Sequence, residues 1–362
     1  MSLVRGIRST SARGKTGAPV GVTFAALSLL LAGLFALSVM LGSVRVPALT
    51  VLRALFTGET GDAPFTEIVL LFRLPRALTA LLAGAALAVS GLQMQTLFRN
   101  PLAGPFILGI SSGASLAVAV VVVLAGSAGA AVSGLSSMPA GMGTTGAAFA
   151  GAALTLFLVL GLAGRVESAS GLLILGLLLG YAVSALVSVL LHFSAAQQTQ
   201  AYVAWTFGTF SDVTWQEMRL FAPLVGAGIL TAFLLSKPLS ALAMGEAYAQ
   251  TVGVRLRRVR YVLIVSTALL AGSVTAYCGP IAFIGVAVPH LARGIVSGTN
   301  QRRLFPATLL LGGSVALAAE IAAALPGSQV RLPVNAVTAL LGTPVIAWVI
   351  LRKRTTGPMR RM

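Results

Sequence analysis

An all-α integral membrane protein with about ten transmembrane helices is the fold class this sequence predicts, on three observations. Hydrophobic residues make up 57% of the 362 positions and charged ones only 9%, too little polar surface to cover a water-soluble globule of this size. Apolar runs close to the length of a bilayer crossing recur from one end to the other. The basic residues sort into alternate connections, as they do in a multi-pass chain.

The runs fall at about 20–44, 68–98, 106–126, 143–164, 171–193, 219–236, 261–277, 280–297, 304–325 and 333–351. Each predicts a helix, because lipid offers backbone amides no other partner. The seventh and eighth are short and also fit one broken helix. The first follows Arg5, Arg8, Arg13 and Lys15 in the manner of a secretory leader, but it exceeds the 7–15 apolar residues of a signal core and no small-residue cleavage site follows. It is read as an uncleaved span. The predicted organisation is a basic tail over 1–19, one membrane domain over 20–351 with a polar-side loop at about 237–260, and a basic tail over 352–362.

Ten spans put both termini on one side, and that side collects nineteen of the 25 basic residues. The other keeps six, namely Arg45, Arg53, Arg73, Arg76, Arg219 and Arg331, together with the acidic residues Glu59, Asp62, Glu67, Asp212 and Glu217. The basic side is therefore predicted to be cytoplasmic. The net charge of +17 and the pI near 11.7 follow from this topology, so no nucleic-acid partner is inferred from them.

Small residues predict close helix packing at Gly176 and Gly180 and at Gly84 with Ala88. In the fifth span Tyr181, Ser184, Ser188 and His192 share one helix face, a polar stripe that either lines a cavity or hydrogen-bonds a neighbouring helix. Glu320 lies among Leu317, Ala318, Ala319 and Ile321, where a carboxylate needs a partner or water, and His290 lies near the cytoplasmic end of the eighth span. These two groups are too scattered for a proton relay, and a structural role is read for each. The single cysteine, Cys278, allows no internal disulfide and no cysteine metal site. Gly14-Lys15-Thr16 echoes the end of a phosphate-binding loop, but Ser9 stands where its first glycine belongs. No nucleophile elbow, zinc-binding helix or paired carboxylate is present either, so no enzyme is predicted.

The loop after the sixth span contains a helix candidate of small residues followed by a basic cluster from Arg255. A weakly charged helix outside the membrane calls for a partner to pack against. Its pattern Gly245-Glu246-x-x-Ala249-x-x-x-Gly253 looks like a permease coupling loop. With Arg73-Leu-Pro-Arg76, Arg99-Asn-Pro-Leu-Ala-Gly-Pro105, Gly279-Pro-Ile-Ala-Phe-Ile-Gly285, Val288-Pro-His-Leu-Ala-Arg293 and Leu332-Pro-Val-Asn335, the chain from about 24 to 351 resembles the permease subunits of the iron-siderophore and vitamin B12 (FecCD-type) family of ABC importers.

The resemblance implies a type II ABC importer permease fold with inverted-repeat halves, multi-pass in the bacterial cytoplasmic (inner) membrane with both termini cytoplasmic. The similar segments Gly104 to Gly109 and Gly279 to Gly285 follow helices of opposite direction, as an inverted repeat requires. The implied partners are a second permease subunit as homo- or heterodimer, two ATPase subunits and an extracytoplasmic substrate-binding protein. ATP and Mg would sit on the ATPase, leaving no cofactor in this chain, and the cargo would be a ferric siderophore, or a haem- or cobalamin-type chelate. An ion-coupled secondary transporter is the alternative. Gly245, Glu246, Ala249 and Gly253 would couple to the ATPase, while Arg73 and Arg76 on the outer face would receive acidic residues of the binding protein. Asn100, Pro101, Ser168 and Ser170 would form a cytoplasmic gate, in which Ala169 stands where the family commonly has threonine. Ala324 likewise stands where a further docking arginine is common, with Arg331 nearby.

Overall fold

The computed structural model describes residues 20–42, 44–58, 63–127, 142–166, 168–296, 300–325, 327–328 and 330–354. The predicted tails over 1–19 and beyond 354 lie outside the described residues, and with them the Gly14-Lys15-Thr16 string. Among the described residues every regular element is helical. In chain order they are α1 (Val20–Met40), α2 (Ala48–Thr57), α3 (Ala63–Glu67), a π-helical stretch (Ile68–Arg73), α4 (Leu74–Leu97), a 3-10 turn (Pro105–Leu108), α5 (Ile110–Ser127), α6 (Met142–Ala163) and α7 (Ala169–His192). They continue with α8 (Ala196–Thr206), α9 (Trp215–Leu234), α10 (Ser236–Met244), α11 (Glu246–Thr251), α12 (Leu256–Cys278), α13 (Ile284–Ile295), α14 (Gln301–Ala324) and α15 (Val334–Arg354).

All ten apolar runs are helical over most of their described residues, and among the described residues seven helices are long and apolar enough to cross a membrane: α1, the stretch Pro64–Leu97, α6, α7, α9, α12 and α14. The other three, in α5, α13 and α15, are shorter apolar helices. In α5 and α13 the reason is visible, because a turn takes up the start of the predicted run at 105–109 and at 279–283. The seventh and eighth runs are accordingly two helices, not one broken helix.

Helix α4 is the hub, buried over almost its whole length against α14, α12, α13 and α9. Its alanines and leucines favour the helix, and Pro75 falls just past the junction where the π-helical stretch gives way to α4. The predicted Gly84/Ala88 step packs on α14: a Cβ on Gly312 would lie 2.6 Å from that of Ala88, so the two backbones touch. Gln93 ties the hub to α12, donating to Ser266 at 3.0 Å and accepting from Thr267 at 3.1 Å. In contrast α1 and α7 leave large apolar side chains exposed, Leu29 and Leu30 on one and Leu177, Leu178 and Val189 on the other. Exposure of that kind suits lipid or a second subunit.

Candidate transport pathway and its flanking surfaces

The 3-10 turn at Pro105–Leu108 and the turn leading into α13 meet beside α4. Gly285 packs so closely on Gly91 that a Cβ on Gly91 would overlap the Gly285 carbonyl oxygen, and a Cβ on Gly285 would lie 2.6 Å from Pro105 Cδ. Phe283 takes φ of +68°, strain for an L-residue that the surrounding packing must sustain. Asn335 pins this turn: its side-chain oxygen accepts from the Ala282 amide at 3.1 Å, and its own amide donates to the Phe207 carbonyl at 3.0 Å. The Gly-Pro turns and the Pro-Val-Asn segment are thus parts of one junction.

Beside the junction opens a cavity of about 460 Å³, lined by Phe106, Ser111, Ser112, Ser184, Ser188 and Asn335 among others. No lining residue is ionised. Tyr202 also lines it, and burial raises its hydroxyl above the ordinary tyrosine pKa while a hydrogen bond with Ser115 partly offsets this, so it stays neutral. Of the predicted stripe, Ser184 and Ser188 face this cavity, whereas Tyr181 is 65% exposed and His192 stacks edge-on against Phe193 at 5.1 Å. The middle of the stripe therefore lines the cavity and its two ends do not. Ser111, Ser112 and Asn335 escaped the sequence analysis as pathway residues; the Ser-Ser-Gly-Ala-Ser run after a Gly-Pro turn was the available signal. Among the described residues no cluster of three His, Cys, Asp or Glu side chains is placed to hold a metal ion.

At the basic end the 237–260 loop forms two helices, not the one expected, because Gly245 at φ +130° breaks them. Helix α11 ends in a paired cap: the Gly253 amide donates to the Gln250 carbonyl at 3.0 Å and the Val254 amide to the Ala249 carbonyl at 2.9 Å. Gly253 at φ +84° is the left-handed residue this cap requires. Ala249 is fully buried, and Glu246 in the first turn pairs with Arg260 at 3.4 Å. Among the side chains the loop exposes are the apolar Met244 at the end of α10 and Tyr248 and Val252, four apart along α11 and its cap, beside the smaller or polar Ala247, Gln250 and Thr251. These apolar side chains carry no pattern of their own in the sequence, where they lie singly among alanine, glutamine and threonine.

Arg73 and Arg76, expected on the outer face, are not surface side chains in the single chain. Both are buried, 4% and 6% exposed. Arg73 caps the end of α1, donating to the carbonyls of Val39 at 3.2 Å, Met40 at 2.7 Å and Val44. Arg76 approaches Glu320 at 3.0 Å, both side chains buried, which supplies the partner that Glu320 was expected to need. Arg331, like Arg45, Arg53 and Arg219 of the same predicted side, is exposed, and it donates to Ser211.

The expected gate residues occupy separate places in the single chain. Asn100 accepts from the Leu102 amide at 2.9 Å and shapes the turn after α4. Pro101 lines a cavity of about 310 Å³ at the basic end with Arg99, His290 and Arg293. Ser168 caps the start of α7, accepting from the Gly171 amide at 3.0 Å, and Ser170 is exposed in its first turn.

Residues 29–352 match the profile of the FecCD transport family. The vitamin B12 import system permease protein BtuC of Klebsiella pneumoniae subsp. pneumoniae is 39% identical over 300 residues, 83% of this chain and 87% of that protein. BtuC of Escherichia coli O9:H4 is 37% identical over 314 residues, 84% and 92% of the two chains. A solved inward-facing conformation of a chain provisionally assigned as a metal-chelate type ABC transporter superposes with a TM-score of 0.79 at 27% identity, covering 92% of this chain and 99% of that one.

Proposed function

The chain belongs to the FecCD transport family, and from that premise we propose that it carries a bulky ferric siderophore through the bacterial cytoplasmic membrane. It is a permease subunit of an ABC importer, a transporter component and not an enzyme. Energy comes from ATPase partners, and two permease subunits make the pathway. In the proposed arrangement both termini are cytoplasmic, the exposed apolar faces of α7 and α15 meet those of the second subunit, and a binding protein delivers cargo to the opposite end, where Arg331 is exposed.

One observation carries the cargo class. The cavity beside the Gly-Pro junction is lined by hydroxyls, an amide and apolar groups with no ionised side chain. Such walls solvate a large chelate without holding it, which transport requires. At the cytoplasmic end, the exposed surface around Met244, Tyr248 and Val252 is the one proposed to engage the ATPase, with Gly245, Ala249 and Gly253 setting its shape and Glu246 bracing it through Arg260. ATP-driven movement of this loop would then switch Asn100, Pro101, Ser168 and Ser170 between closed and open packings.

A second cargo, vitamin B12, is favoured by the names of the relatives at 37% and 39% identity. Competition decides between them. In vesicles holding the permease, its ATPase and the binding protein, uptake of a labelled ferric siderophore should resist excess cyanocobalamin. Full displacement by cyanocobalamin assigns the pathway to corrinoids instead.

A further inference from the structure

A second cavity, of about 550 Å³, lies beside the coupling helices and is lined by Gly164, Val166, Arg255, Arg257, Arg260 and Tyr261 among others. Its lining brings three guanidinium-bearing residues together and includes no carboxylate. The three are differently engaged. Arg260 is fixed in the wall, reaching the Val166 carbonyl and Glu246, each at 3.4 Å. Arg257 lies over the Tyr261 ring at 5.9 Å from its centroid, and Arg255 and Arg257 are both exposed. The room comes from Gly164, where a Cβ would lie 2.8 Å from the Tyr261 hydroxyl.

The surroundings point to one ligand. The cavity sits where the membrane-crossing helix α12 begins at Leu256, the level at which headgroup phosphates lie. An exposed apolar strip of α6, formed by Leu154, Phe157 and Leu158, runs along the helix that ends at this cavity. An acyl chain on that strip would bring its phosphodiester to the guanidiniums, and Tyr261 is the amphipathic ring expected at such an interface. The geometry points to an anionic phospholipid headgroup site, of the phosphatidylglycerol class, formed by Arg255, Arg257 and Arg260 against the coupling helix. The site rests on the reading of this end of α12 as lying at the bilayer surface. Because α11 and the cavity share Arg260, a bound headgroup would brace the loop proposed to meet the ATPase.

The purified full-length permease in neutral detergent is titrated with dioleoylphosphatidylglycerol, with retained lipid read by native mass spectrometry and protection by thermal unfolding. Saturable retention and a raised Tm are expected with phosphatidylglycerol and not with phosphatidylcholine or millimolar inorganic phosphate. Arg255→Gln with Arg257→Gln should weaken the affinity about thirtyfold, roughly 2 kcal/mol for two interfacial cations. The paired control Arg302→Gln with Arg303→Gln should bind as the unaltered protein does, and Arg255→Lys with Arg257→Lys should restore most of the affinity. Wild-type lipid binding in the Gln pair overturns the site, as does equal protection by phosphate alone. Loss of ATPase association with lipid binding unchanged overturns it too, and gives the cavity to the partner subunit. No arm measures uptake, so a failure here leaves the transport proposal standing and is told apart from its failure.

Discussion

Removing one member of the Arg76–Glu320 pair should destabilise the fold far more than removing both. The charges approach to 3.0 Å with both side chains nearly closed off from solvent. At an effective dielectric near 20 the gross attraction is about 5–6 kcal/mol, most of it offset by the cost of taking two ions out of water. Deleting one partner leaves the other buried and uncompensated, a loss of roughly 3–5 kcal/mol in comparable cases. The lower end applies, because Arg76 Nε lacks the alignment of a hydrogen bond despite its closeness to Glu320. Glu320→Leu and Arg76→Met should therefore each cost about 3 kcal/mol, and the double variant about 1 kcal/mol. Equilibrium unfolding in mixed micelles, run as a double-mutant cycle, reads the coupling. Two single losses below about 1 kcal/mol that simply add would refute a structural ion pair here.

Gly91→Ala should cut the folded yield severely, since the added carbon meets the Gly285 carbonyl and neither backbone can retreat; size-exclusion recovery checks it. Tyr248→Asp puts a charge on the exposed surface of α11 proposed to engage the ATPase, so it should leave the permease folded and weaken co-purification of the ATPase at least tenfold. Ser188→Trp should fill part of the cavity beside the Gly-Pro junction and abolish uptake, with ATPase association retained.

How much of this was legible in the sequence depended on whether the controlling contact is local. Helix positions were legible because lipid crossing imposes a length and an apolar composition, and all ten runs are helical over most of their described residues. The short ends of α5 and α13 were not, because Phe106 and Ala282 look like helix interior until Gly91 and Asn335 hold the turns in place. Helices α2 and α8 went unread, being too short to carry a membrane signal. The fate of Arg73 and Arg76 was invisible for a different reason: their partners lie about 30 and 240 positions away, and nothing local distinguishes a buried cation from an exposed one. Glu320 was the counterexample, because a carboxylate among alanines and leucines announces its need for a partner. In the 237–260 loop the glycine pattern was readable and its cause, the α11 cap, is local. The exposed Met244, Tyr248 and Val252 are equally local but lie singly among smaller or polar residues, so no pattern marked them.

The most direct test is uptake by the purified chain in vesicles, measured alone under an imposed proton or sodium gradient and again with its ATPase, binding protein and ATP. Cargo should accumulate only in the complete, ATP-supplied vesicles. Steady uptake by the chain alone under an ion gradient would contradict the account.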